Sequence, residues 1–195
     1  MRYKLTDKEL DQVLKNLIIL VDTRENANSH IISSFDKLKI RYESVKNDFG
    51  DYSAKLPVGS FAGQARDIYF DRFIVIERKN SIDELAGNLK DDVRLNTELA
   101  HLNKYGIKYY IFVEDENFDN NIRNSNYRSQ YNNKALYARL KTLEARYNTI
   151  IRPVSKVNIG SEIYNTLKYH IREQFKNKGI IEEEGEEVAR IDEAI

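Results

Sequence analysis

Four short apolar runs, each ended by charge or proline, constrain this chain most: residues 17–22 (LIILVD), 74–79 (IVIERK), 107–115 (IKYYIFVED) and 148–155 (NTIIRPVS). Apolar runs of this length, bounded by polar residues, read as buried strands. Between them lie segments whose apolar residues recur every three or four positions. Residues 26–38 place Ile31, Ile32, Phe35 and Leu38 on one helical face. Residues 135–147 and 160–175 read as two further helices. Ser81 and Glu84 form a capping-box pattern that opens a helix carrying Leu85, Leu89, Leu95, Leu99 and Leu102. Strands alternating with helices imply a three-layer α/β fold.

The remaining segments refine this scheme. Residues 50–57 (GDYSAKLP) read as a strand that Pro57 ends. Residues 67–73 read as the return of a hairpin, which makes the sheet mixed. Residues 5–16 read as a short N-terminal helix, with Thr6 and Glu9 as a capping box. Residues 117–133, polar and rich in asparagine, read as one long loop, a kind that is often functional.

Composition removes several function classes. With no cysteine there is no disulfide framework, thiol nucleophile or cysteine-ligated zinc, which suits a reducing cytoplasm. No apolar run reaches the roughly 18 residues of a membrane span. The formal net charge is zero but unevenly spread. From residue 177 onward seven acidic residues face two basic ones, so this stretch carries −5 and the first 176 residues carry +5. A mildly basic body, residues 1–176, followed by a frayed acidic tail, residues 177–195, is compatible with nucleic-acid binding.

The charges that end residues 74–79 raise the chemical question. Alternate side chains of a strand share a face, so Glu77 and Lys79 point one way and Arg78 the other. A carboxylate two residues from a lysine combines a metal ligand with a group that orients or deprotonates a water. Mg²⁺ is held through one or two carboxylates plus waters and phosphate oxygens. Asp51, after Gly50, is the natural second ligand. An E-x-K triplet alone is weak in a chain with 32% charged residues. Its place at a strand end, with Asp51 upstream and Asp22 ending a second apolar strand, is more specific.

These residues carry a resemblance. Gly50-Asp51 with Glu77-Arg78-Lys79-Asn80-Ser81-Ile82-Asp83 resembles the GD…ERKxxxD signature of the XPF-type structure-selective endonucleases, within the PD-(D/E)xK, restriction-endonuclease-like superfamily. Residues 21–25 (VDTRE) resemble that family's first motif, Arg94 and Glu98 fit its nuclease domain, and residues 127–148 resemble a block of its bacterial and phage versions. The resemblance covers residues 18–175. It implies a restriction-endonuclease-like fold and a nuclease dependent on Mg²⁺ or Mn²⁺. Asp51 and Glu77 would hold the metal, with Asp22 as a further acid at the site, and Lys79 would serve the attacking water. Glu25 and Asp83 would support the site. Arg24 and Arg78 would contact phosphates or brace the acids, and Arg94, Arg128 and Lys134 would bind DNA. The implied partner is branched or single-strand-containing DNA, in the cytoplasm of a bacterium or a phage-infected host.

Eukaryotic and archaeal members carry tandem helix-hairpin-helix domains that grip DNA and dimerise. Here the acidic stretch stands in their place, which leaves the DNA structure preferred and a homodimer open. The alternatives are a non-catalytic DNA-binding module and a dimerisation subunit of a larger repair complex. Tyr127, Arg128, Tyr131 and Lys134 interleave cations with aromatics, as nucleic-acid surfaces do. A solvated loop with its tyrosines folded inward is the plainer reading. His30, His101 and His170 are far apart in sequence and read as helix-surface or boundary residues.

Overall fold

The computed structural model describes residues 5–90 and 92–177. The acidic stretch expected as a frayed tail lies outside the described residues, apart from its first residue. The elements in chain order are α1 (Asp7–Leu14), β1 (Ile18–Asp22), α2 (Ser29–Leu38), β2 (Arg41–Val45), β3 (Tyr52–Leu56), β4 (Ile68–Tyr69), β5 (Ile74–Lys79), α3 (Ile82–Asn88), α4 (Asp92–Lys104), β6 (Lys108–Glu114), α5 (Phe118–Arg123), α6 (Asn133–Arg146), β7 (Thr149–Val154) and α7 (Ile159–Asn177).

The strands form one seven-stranded sheet of order β2-β1-β3-β5-β6-β7, with β4 paired to β3. β3 runs antiparallel to β1, β4 and β5, while β5, β6 and β7 are parallel. The sheet is therefore mixed, and the hairpin return is the two-residue β4. β5 is buried on both faces, which explains its unbroken apolar start. Ile74 and Ile76 pack with α1, α2 and α7 in one core cluster. Val75 packs with α3, α4, α5 and α6 in a second cluster. Two cores, one on each side of a single sheet, make the three layers. The Thr6–Glu9 capping box forms in both directions, whereas at α3 only half of the box forms: Ser81 accepts from Glu84 N–H, and the Glu84 carboxylate accepts from Asn80 N–H instead of Ser81 N–H.

Four expectations change. The leucine-bearing helix is two helices, since α3 ends at Asn88 and α4 begins at Asp92. Gly87 and Asn88 are poor helix formers at that point. The polar segment after β6 contains α5, whose Phe118 and Ile122, four residues apart, are buried. Leu38 is half exposed instead of buried. Pro153 does not close β7 but sits inside it. Because β7 is the sheet's edge, the missing N–H costs no ladder bond. Among the described residues no helix is long and apolar enough to cross a membrane.

Candidate active site

β5 delivers its charges where the sheet opens. Its pairing with β3 is confined to Tyr52↔Ile76, while its pairing with β6 continues to Lys79↔Val113. Past Ile76 the β3 side of β5 is left to the turn before β3, and Asp51 fills it. Asp51 N–H donates to Ile76 O (2.9 Å), and Arg78 N–H donates to Asp51 Oδ2 (2.7 Å). A carboxylate thus continues the ladder where the backbone of β3 has ended. Gly50 makes the approach possible. Its φ is +64°, and a Cβ there would lie 3.1 Å from both Ile76 O and Val75 Cβ. Both the left-handed backbone and the close contact with β5 select glycine.

Glu77 and Lys79 face the α3–α4 layer. Lys79 Nζ lies 2.5 Å from Glu77 Oε1 and 3.7 Å from Glu84 Oε1. Burial alone would depress the Lys79 ammonium, but Glu77 and then Asp51 hold it above its ordinary range. Burial and then the Glu77 charge push the Asp51 carboxyl up to about 8. Beside Glu77 the Glu98 carboxyl is also raised, chiefly by burial. Crowded, partly desolvated carboxylates of this kind are a site for positive charge.

Asp51 and Glu77 fit a hard divalent cation held through one or two carboxylates and completed by water and phosphate oxygens. Among the described residues no three acidic or histidine side chains converge into a ready-made metal cage. Asp22, expected as a further acid at the site, has both carboxylate oxygens hydrogen-bonded. Its Oδ1 accepts Arg24 N–H and Nε (both 2.7 Å), and its Oδ2 accepts Arg24 Nη2 and Asn47 N–H (both 2.8 Å). The Arg24 fork holds the Asp22 carboxyl below its ordinary range. Asp22 therefore anchors Arg24 and the turn leading to Asp51.

A cleft of about 710 Å³ opens over these groups, lined by Arg24, Asp51, Glu77, Arg94, Glu98 and His101 among others. A smaller recess shares Glu77, Arg94 and Glu98 and reaches Lys79 and Tyr109. Sequence reasoning missed Tyr109. Its ring is buried in the α3–α6 core, and burial, then Glu77, raises its hydroxyl well above the ordinary range.

Arg78 does not reach this cleft. It is 5% exposed and points to the opposite layer, as strand alternation requires. Its Nε donates to Glu114 Oε1 (2.7 Å) and its Nη1 to Glu25 Oε1 (3.1 Å), while His30 Nε2 sits 2.7 Å from the same Glu114 oxygen. Sequence reasoning singled out neither Glu114 nor His30 for this network, although Glu114 ends an apolar strand as Glu77 does. The network ties the end of β6, the start of α2 and residues 22–25 to β5 from behind.

Asp83, in the first turn of α3, clamps the segment between α5 and α6. Its Oδ1 accepts Arg128 N–H (2.8 Å) and Ser129 N–H (2.7 Å), and Arg128 Nε lies 3.4 Å from its Oδ2. The Arg128 side chain is 92% exposed beside this anchor. Lys134 lies farther along, at a separate pocket against α5.

Sheet order and flanking helices define a three-layer α/β fold with a mixed central sheet. The ERCC4 domain matches residues 21–163, and the chain belongs to that family. Among solved structures the chain is similar to XPF from Aeropyrum pernix, at 22% identity over 78% of this chain and 60% of that one, with a TM-score of 0.54. It is also similar to XPF from Aeropyrum pernix in complex with DNA, at 21% identity over 80% of this chain and 66% of that one, with a TM-score of 0.55. The chain thus spans less than two thirds of the length of those relatives. The comparison with curated protein sequences finds no match.

Proposed function

We propose that this chain is a divalent-metal-dependent endonuclease that hydrolyses phosphodiester bonds in branched or single-strand-containing DNA. The nuclease unit would be residues 1–176 and the acidic extension residues 177–195. The cellular setting would be cytoplasmic recombination, repair or phage replication. The observation that carries the reading is the convergence of Asp51, Glu77 and Lys79 where β5 leaves β3 beside a cleft that Arg24 and Arg94 also line.

Asp51 and Glu77 would hold Mg²⁺ or Mn²⁺. When bound, the metal lowers the pKa of a water and neutralises charge developing on the phosphate. Lys79, beside Glu77 at the cleft, would orient the attacking water and stabilise negative charge on the phosphate. Arg24 and Arg94 line the cleft where phosphates enter. Arg78 would brace the site, its backbone N–H donating to Asp51 and its side chain pairing with Glu114 and Glu25.

Cleavage of labelled duplex, flap, fork and four-way-junction DNA with Mg²⁺ or Mn²⁺, beside Asp51→Ala and Lys79→Ala, tests the reading. Metal-dependent cutting that both substitutions abolish, with branched substrates preferred, is the expected result. DNA binding without cutting on any substrate would contradict it.

A further inference from the structure

A second pocket, of about 390 Å³, lies between the end of α5 and the start of α6, lined by Ile122, Arg123, Asn133, Lys134 and Tyr137. This is within the roughly 300–1,000 Å³ of ligand pockets. Its walls are tied together, because Asn133 Nδ2 donates to Arg123 O (2.8 Å). Tyr137 is 39% exposed, and the Arg123 guanidinium stands 5.7 Å from its ring centroid. Lys141 also approaches this ring (5.8 Å), but its charge is paired with Glu144 at 2.7 Å. Arg123 and Lys134 form no ion pair among the described residues.

The topology places this pocket on the cleft's edge of the sheet. β5, β6 and β7 are parallel, so their carboxyl ends lie together. α5 follows the carboxyl end of β6, and α6 descends from that edge to the start of β7. The segment joining the two helices is clamped to Asp83 just beyond the end of β5, with Arg128 exposed upon it. Arg128, Arg123 and Lys134 therefore lie toward the same edge of the sheet as the end of β5.

We infer that the α5–α6 pocket is a second nucleic-acid subsite that takes a short single strand of DNA, with phosphates on Arg123 and Lys134 and a base stacked against the Arg123–Tyr137 pair. Arginine planes and aromatic rings accept any base, which suits a strand leaving a branch point. A duplex presents no unstacked base for such a pair. The inference rests on the nuclease reading for the nature of its ligand and not for its chemistry.

The test is fluorescence anisotropy in EDTA with a labelled oligothymidylate and, separately, a blunt duplex. Tyr137→Ala should weaken single-strand binding roughly 5- to 100-fold, while Tyr137→Phe retains it. Arg123→Gln and Lys134→Gln should each lower the salt dependence of single-strand binding by roughly one phosphate contact. Duplex binding should change less than about twofold in Tyr137→Ala and Tyr137→Phe, since the cleft is intact. Failure of the wild-type chain to bind the single strand, unchanged binding by Tyr137→Ala, or equal loss for both DNAs would overturn the inference. No cleavage enters this assay, so an inactive wild-type chain that passes it would sink the nuclease reading alone.

Discussion

Arg78→Met separates bracing from DNA contact. In the wild type the Arg78, Glu114 and Glu25 side chains are 4%, 3% and 11% exposed and linked by donors at 2.7 and 3.1 Å. Methionine keeps much of the apolar stem and removes the charge. Removing one partner of a buried pair costs about 3–5 kcal/mol, because the other charge stays buried. Glu114 keeps His30 at 2.7 Å, and that remaining donor places the cost toward the low end, about 3 kcal/mol. With a urea slope of about 2 kcal/mol/M, the unfolding midpoint should fall by about 1.5 M at pH 8. Burial already raises the Glu25 carboxyl, and loss of the Arg78 bond removes what chiefly holds Glu114 low, so both carboxyls should move up in the variant and the folded state should gain protons as pH falls. The deficit should therefore shrink at pH 5. The salt dependence of DNA binding should not change, since no phosphate contact is lost. A midpoint shift below about 0.3 M, or a salt slope reduced by a full contact, would refute the reasoning.

Gly50→Ala must adopt φ near +64° and meet Ile76 O and Val75 Cβ at 3.1 Å, so it should lose about 1–3 kcal/mol in the same urea experiment. Asp51→Asn removes a carboxyl whose folded pKa, about 8, lies above its unfolded value of 3.8. The wild type loses stability as pH rises from about 4 to 8, so Asp51→Asn should melt higher than wild type at pH 8, with the gain fading toward pH 4. Asp83→Ala should free the Arg128 and Ser129 amides, seen as faster hydrogen exchange and faster tryptic cleavage at Arg128, with the rest of the exchange pattern unchanged.

The buried strands were legible because β1, β5 and β6 are buried along most of their length and so write apolar runs into the sequence. β2 left no such trace. It is the other edge of the sheet, four of its five residues are exposed, and it reads Arg-Tyr-Glu-Ser-Val. Strand parity sufficed to divide Glu77 and Lys79 from Arg78. What Arg78 meets was illegible, because Glu25 and Glu114 lie 53 and 36 residues away and are brought to it by the turn after β1 and by the β5–β6 register. Asp22 illustrates a local ambiguity. A strand-end carboxylate reads as a further acid at the site, and the geometry adds its partners Arg24 and Asn47, which the sequence does not name. Gly50 serves both a left-handed turn and a close approach to β5.

The central claim is that Asp51 and Glu77 together form the divalent-metal site. Calorimetric titration of Mn²⁺ into the wild type, Asp51→Asn and Glu77→Gln at pH 8, without DNA, tests it apart from cleavage. The account predicts a saturable site in the wild type that each substitution abolishes, with circular dichroism unchanged. Variants that bind Mn²⁺ as tightly as the wild type would contradict it.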